Sequence, residues 1–547
     1  MNHARTLLVP SLVASILAGL CAANDTLFTA AVQTSWSGTA LARVGDIDGD
    51  GRPDLAESDG LVVRWISGAS GALVRSAPIG AVPGAHVALA DADDLDGDGV
   101  SDLAVGLEGL RAYSGATGQL LWQINSPSAG FGHALARVGD RDGDGRAEIL
   151  VGVPEMLVWG GGDVVHTWYQ GEGRAEIRSG ASGALLRTIL PPAGVGFGFG
   201  GSLAVLDDLD GDGQADLAIA PFYQPVSIPG PFGAGGDVRL YSGATLAPIG
   251  SFPEPTNRST RLTALGDLDG DGFGELALAR VWEFVDIVSP ATGATLRTHA
   301  AGTLYDRVGQ CTLALADIDG DGVTDYAIGA PEPPQVGGLG LTIDVGPGIV
   351  RVYSGATGAE LQVLAGALPY GRFGWSLAAA GDLDGDQVED LFVASPGVPR
   401  VAALSGSTLN SVPNAYCVGG QLVGTQRAQL ASSGTTSVAA NDLVLVATNA
   451  LPGKTGLFVY GLRSSFDAFG GGWLCVGAPI FRLGPVALTN GSGAATHALD
   501  LNAPPASGGP GALGIGTTAC FQFLFRDPLT NHGGRNATNA LAVTFAP

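Results

Sequence analysis

Short apolar runs cut by Gly, Pro, Asp and Ser fill the chain, and they recur in a fixed order. One set ends just before an acidic loop: Ala134-Leu135-Ala136-Arg137-Val138, Ser202-Leu203-Ala204-Val205-Leu206 and Ser376-Leu377-Ala378-Ala379-Ala380. A second set follows the loop: Leu103-Ala104-Val105-Gly106, Leu217-Ala218-Ile219-Ala220 and Tyr326-Ala327-Ile328-Gly329. A third ends in a Ser-led turn such as Ser354-Gly355-Ala356-Thr357-Gly358, which recurs at Ser67, Ser114, Ser179, Ser242, Ser289 and Ser405. A fourth follows the turn, as at 119–123 and 184–189. Apolar segments of this length between turn residues read as strands. Four strands in each of seven units of roughly fifty residues predict a seven-bladed all-β propeller. The segment Thr26–Val32 is expected to add a strand to the last blade, because a ring closed between its chain ends leaves no open edge.

The acidic loop gives each unit its chemistry. It reads D-x-D-G-D-x-x-x-(D/E), with carboxylates at positions 1, 3, 5 and 9. The seven sets are Asp46, Asp48, Asp50 and Asp54; Asp94, Asp96, Asp98 and Asp102; Asp140, Asp142, Asp144 and Glu148; Asp208, Asp210, Asp212 and Asp216; Asp267, Asp269, Asp271 and Glu275; Asp317, Asp319, Asp321 and Asp325; Asp382, Asp384, Asp386 and Asp390. Wrapped tightly, with glycine allowing a left-handed turn at position 6, such a loop points its oxygens at one spot. A flexible cage of hard oxygens suits Ca2+ better than Mg2+. We therefore expect several structural calcium ions. The alternative is a set of plain Asp-Gly turns, in which four crowded carboxylates repel one another. Loop seven has Gln387 at position 6, so its ion is the least secure expectation.

Bulk charge adds little beyond the loops. The formal net charge is −25, and seven loops of four carboxylates account for all of it. No basic stripe is visible, which argues against nucleic acid as a partner. Residues 1–23 carry Arg5, an apolar run from Leu7 to Leu20 and Cys21-Ala22-Ala23, the pattern of a secretory signal. No later stretch reaches membrane-spanning length. Secretion or display at the cell surface is the expectation. Export permits disulfides, and Cys475 with Cys520 is the expected pair. Cys311 reads as a small apolar filler, and Cys417 has no evident partner. After about Leu409 the acidic loops stop. Alternating runs at 442–447, 456–462 and 520–525 then predict a β-sandwich over 413–547, following a propeller over 24–412.

Loop, flanks and count together resemble the FG-GAP repeats of integrin alpha-subunit propellers and their bacterial relatives. The FG element stands as Phe131-Gly132, Phe199-Gly200 and Phe373-Gly374, and the GAP element as Gly152-Val153-Pro154 and Gly329-Ala330-Pro331. The resemblance covers roughly residues 30–410. It implies that the calcium loop joins the first two strands of a blade and that the ions are mainly structural. Glu148 and Glu275, where the pattern usually has Asp, have the reach for bidentate ligation. Segments such as 456–461 and 525–528 resemble, more loosely, C-terminal modules of exported planctomycete-type bacterial proteins, which assigns no activity.

Blades differ in the link from second to third strand. It is minimal in blades one and two and long in blades three, four and six. The insertions of blades three and four carry Trp159, Trp168, Tyr169, Phe222, Tyr223 and Phe232. Aromatics on loops are candidate recognition residues; the competing account is that they cover the insertion's own small core. Enzyme signals are poor. The seven histidines form no H-E-x-x-H cluster, no serine sits in G-x-S-x-G, and no catalytic residue is assigned. The reading is a calcium-binding adhesion or recognition module that meets an extracellular glycan or surface protein. The alternatives are a hydrolase or lyase acting on extracellular polymer from the insertion face, and a purely structural wall or matrix component.

Overall fold

The computed structural model describes residues 26–545 apart from 32–39, 81–85, 129, 160–165, 170–171, 193–197, 222–236, 254–259, 281–282, 301–306, 332–347, 367–370, 398–399, 410–413, 417–427, 471, 516 and 529–533. The chain divides into two compact units, one holding 27–364 and 370–412, the other holding 365–369 and 413–547.

The first unit contains seven four-stranded antiparallel sheets. Their first strands are Ala40–Val44, Ala88–Asp93, Leu135–Val138, Phe199–Val205, Thr260–Ala264, Cys311–Leu315 and Leu377–Gly381. Each touches the first strand of the next sheet, and Leu377–Gly381 touches Ala40–Val44. That closed succession of inner strands makes the unit a propeller. Thr26–Ala31 pairs beside Arg400–Leu404 and supplies the outer strand of the last blade, as its sequence suggested.

Burial explains why the second strands are the most apolar. Leu103–Val105, Leu217–Ala220 and Leu391–Ala394 are each 0% exposed, since these strands are sandwiched between neighbouring blades. Fourth strands face solvent on one side and alternate accordingly, as Leu120–Asn125 does. Blades meet through paired glycines. A Cβ on Gly152 would lie 2.0 Å from the Gly200 carbonyl oxygen, and one on Gly329 would lie 2.3 Å from that of Gly374. Those contacts join the GAP glycine of one blade to the FG glycine of the next, so neither position tolerates a side chain.

The second unit holds a five-stranded sheet in the order Asn414–Tyr416, Arg535–Thr544, Thr518–Arg526, Thr455–Gly461, Phe481–Leu488. A three-stranded sheet comprises Gln429–Ser433, Val444–Thr448 and Ala495–Ala498. The two face each other: Phe458 of the first stacks on His497 of the second at 5.6 Å, and Leu430 N–H donates to Asn539. A further hairpin, Ser464–Phe469 with Gly472–Val476, has no counterpart in the sequence reading.

The expected Cys475–Cys520 pair does not form. Cys475 is in a disulfide, whereas Cys520 takes no part in one. Cys311 is also a thiol, so the partner of Cys475 is not among the described residues. Instead, the Cys475 N–H donates to Gln522, two residues beyond Cys520, at 2.9 Å. Cys311 is a half-buried thiol that donates to the Gly374 carbonyl.

Candidate metal centres

Each acidic loop joins the first two strands of its blade, and its backbone is wound around its own carboxylates. In loop one, Asp46 Oδ1 accepts the N–H groups of Gly49 and Asp50, and its Oδ2 accepts that of Gly51. Asp48 accepts from Asp50, and Asp50 from Arg52. Gly49 and Gly51 both sit at positive φ, 82° and 89°. The sequence pointed to position 6 alone; position 4 needs the left-handed conformation equally. Gln387 takes position 6 of loop seven at φ 71°, and its N–H still donates to Asp382 Oδ2 at 2.9 Å. Loop seven therefore keeps the wound shape despite the missing glycine.

The first three loop carboxylates lie at the surface and the ninth is buried. Asp54, Asp102, Glu148, Asp216, Glu275 and Asp390 are 0% exposed and Asp325 is 1% exposed. In the five Asp loops one oxygen accepts the N–H of loop position 2 at 2.6–2.9 Å. The other accepts a glycine N–H from the Ser-Gly turn between strands three and four, at 2.6–2.8 Å. The serine of that turn also reaches the fifth-position carboxylate, as Ser242 Oγ does to Asp212 at 2.7 Å and Ser354 to Asp321 at 3.2 Å. Sequence showed both the loop and the turn as repeats; that each turn clasps its own loop appears only in three dimensions.

The two Glu loops differ. Glu148 and Glu275 each accept the position-2 N–H with Oε2. Their Oε1 atoms are buried and meet no hydrogen-bond partner. In blade five the turn reads Ser289-Pro290, and proline has no N–H to offer. A buried carboxylate oxygen left bare is costly.

Oxygens from Asp140, Asp142, Asp144 and Glu148 all lie within 4.8 Å of one another. Triplets from Asp46, Asp48 and Asp50, from Asp94, Asp96 and Asp102, from Asp208, Asp210 and Asp216, and from Asp267, Asp269 and Asp271 meet the same condition. These acidic clusters could hold a metal. Without a cation, burial, with repulsion from the loop carboxylates, raises Asp54, Asp102, Asp325 and Asp390 to about 6, and Glu148 and Glu275 to about 7. A hard cation fits this donor set, because it would satisfy the bare Glu oxygens and offset the crowding.

Arginines tie neighbouring loops together. Arg52 of loop one donates to the Asp382 carbonyl of loop seven at 3.1 Å, and Arg146 of loop three to the Asp94 carbonyl of loop two at 3.0 Å. The insertion of blade three folds as a hairpin, with Met156–Trp159 paired to His166–Tyr169 and Leu157 opposite Trp168. Phe222, Tyr223 and Phe232 of the blade-four insertion lie outside the described residues.

Residues 199–241, blade four from its first strand to the end of its third, match the family model for the FG-GAP repeat. Integrin alpha-V of Gallus gallus is 29% identical over 167 residues, covering 28% of this chain and 16% of its own length. Integrin alpha pat-2 of Caenorhabditis briggsae is 36% identical over 151 residues, covering 24% and 12%. One repeat of this chain thus matches the FG-GAP model, and about a quarter of its length is similar to integrin alpha subunits. The phosphatidylinositol-glycan-specific phospholipase D of Rattus norvegicus is 32% identical over 170 residues, covering 26% of this chain and 19% of that one. The chain spans under a fifth of the length of these curated relatives. Among its described residues no helix is long and apolar enough to cross a membrane.

Proposed function

We propose that this protein is an exported propeller that binds calcium in its acidic loops and acts as a recognition or adhesion module outside the cell. The observation that carries the calcium reading is the bare, buried Oε1 of Glu148, within a cluster of three further loop carboxylates. Among the described residues no hydrogen-bond partner meets that oxygen, and a cation is the partner such an atom lacks. Calcium would be held by Asp140, Asp142, Asp144 and Glu148, and by the matching residues of the other loops. Its role is to fix each loop, and through the Ser-Gly turn the whole outer half of the blade. The integrin relatives support recognition of a surface or extracellular partner.

The blade-three hairpin, with Trp159, Trp168 and Tyr169, is the contact surface we favour, together with Phe222 and Tyr223 of blade four. A pair of strands carrying aromatic residues suits a sugar ring or a protein groove. Binding to a glycan array and to extracellular matrix proteins, with calcium and with chelator, tests the reading. Calcium-dependent capture of one ligand class supports it; equal, featureless signals under both conditions remove it. A second reading is an extracellular hydrolase or lyase, motivated by the relative named a phospholipase D. Release of product from a panel of polymers would favour it over recognition.

A further inference from the structure

Several side chains at or just before the first strands of their blades lie at one end of the ring. His86 leads into the first strand of blade two and His133 into that of blade three. Their rings stack at 4.1 Å, and His86 Nε2 lies 2.8 Å from the His133 carbonyl. Burial lowers the pKa of both imidazoles, and the charge of Arg261, on the first strand of blade five, adds to the shift; Arg261 is itself under the influence of Cys311 and Arg307 of blade six. Blade five borders only blades four and six. Its arginine can approach blades two and three only across the central bore. His86 is exposed and His133 and Arg261 are half-buried, as befits groups facing a channel. On the side of blades six and seven, Arg307 and Arg372 both stack on Trp375, at 5.5 and 5.4 Å.

Arg261, Arg307 and Arg372 thus gather at this end in a chain of net charge −25, beside two histidines that burial keeps neutral. Arg261 makes no ion pair or hydrogen bond among the described residues, whereas Arg43 and Arg137, also on first strands, have Glu389 and Asp93 beside them. A guanidinium left without an acid in a half-buried place is costly unless an anion comes to it. Its planar fork fits oxyanions best.

We propose that this end of the bore is a binding site for an oxyanion, a sulfate, phosphate or carboxylate group, held by Arg261 between the His86–His133 stack and the Arg307–Trp375–Arg372 sandwich. The site is independent of the calcium loops. It would read a single charged group on a chain thin enough to enter the bore, with Trp375 offering a flat wall to whatever carries it.

Calorimetric titration of the calcium-loaded full chain with sulfate, phosphate and acetate, at constant ionic strength set with chloride, tests this and ranks the three anions. At least one should bind saturably, and Arg261→Met should weaken it at least about tenfold, the loss expected when a charge-assisted hydrogen bond is removed. Arg137→Met, which alters an exposed arginine paired with Asp93, should bind as the parent does. Thermal melts give a second readout. A sulfate-induced rise that vanishes in Arg261→Met belongs to the site, whereas a rise of equal size in both proteins is general exclusion of sulfate from protein surface and overturns the proposal. Absence of saturable binding by all three anions to the parent chain overturns it too. Should Arg261→Met fail to fold, Arg261→Lys, which keeps the charge and loses the fork, must still lower the affinity.

Discussion

Two residues show how far a single side chain can depart from the repeat. Gln387 occupies a position where six other loops have glycine, and it holds φ 71° while making the same bond to Asp382. A side chain in that region costs roughly 1–2 kcal/mol. Gln387→Gly is therefore expected to stabilise the protein by about 1 kcal/mol, part of the gain being lost to the greater freedom of glycine in the unfolded chain. Chemical denaturation followed by fluorescence measures it, and a destabilised variant would mean Gln387 makes a contact worth more than its strain. Glu148 gives a change of sign. Replacing it by Gln removes a charge that is buried and bare in the absence of cation. Without calcium Glu148→Gln should raise the melting temperature, and with calcium it should lower it relative to the parent. A shift of the same sign under both conditions would exclude Glu148 as a ligand.

At the scale of the element, loop and turn behave as one unit. The ninth carboxylate is buried beneath the loop and bonded to the turn, so its protonation reports on the whole clasp. In the folded, calcium-free chain Asp54, Asp102, Asp325 and Asp390 titrate near 6 against about 3.8 for a free side chain, and Glu148 and Glu275 near 7 against 4.5. The folded form thus holds protons that the unfolded form has released between pH 4 and 7. Stability conferred by these groups is full below about pH 4 and declines as pH rises towards 7. Melting temperature in chelator should fall over that interval. Calcium needs the ionised carboxylates, so its added stabilisation should grow over the same interval. Melts at pH 5 and pH 7, each with calcium and with chelator, decide; parallel curves would mean the loops hold no ion. The blade-three hairpin is a separate element with its own test. Under the recognition reading Trp168→Ala lowers ligand affinity and leaves the melting temperature almost unchanged. If stability falls first and affinity merely follows, the aromatic packs its own insertion.

For the molecule as a whole, ring closure and cross-links matter most. The first strand of the chain completes the last blade, and arginines bridge loop one to loop seven and loop three to loop two. Cys475 is bridged, yet to neither Cys311 nor Cys520. Non-reducing peptide mapping should recover Cys475 in a disulfide, with Cys311 and Cys520 alkylated as thiols. A Cys475–Cys520 peptide would contradict the fold of the second unit.

The sequence by itself determined whatever repeats locally: the strand runs, the acidic loop between the first two strands, the Ser-led turn and the number of units. These follow from periodicity and from glycine's access to positive φ, properties that neighbouring residues settle among themselves. It showed Gln387 and the two glutamates as departures but not what each departure does. Whether a ninth carboxylate is satisfied depends on a turn 14 to 30 residues away, and in blade five on Pro290 lacking an N–H. The hairpin of blade three lay inside a segment that read only as a long insertion, because its strands are short and flanked by glycines. The Cys475 pairing failed on chain proximity, which says nothing about which sulfurs a sheet brings into line. Tertiary structure alone stacked His86 on His133 and brought Arg307 onto Trp375, residues 47 and 68 positions apart that only the packing of one blade on the next brings into contact.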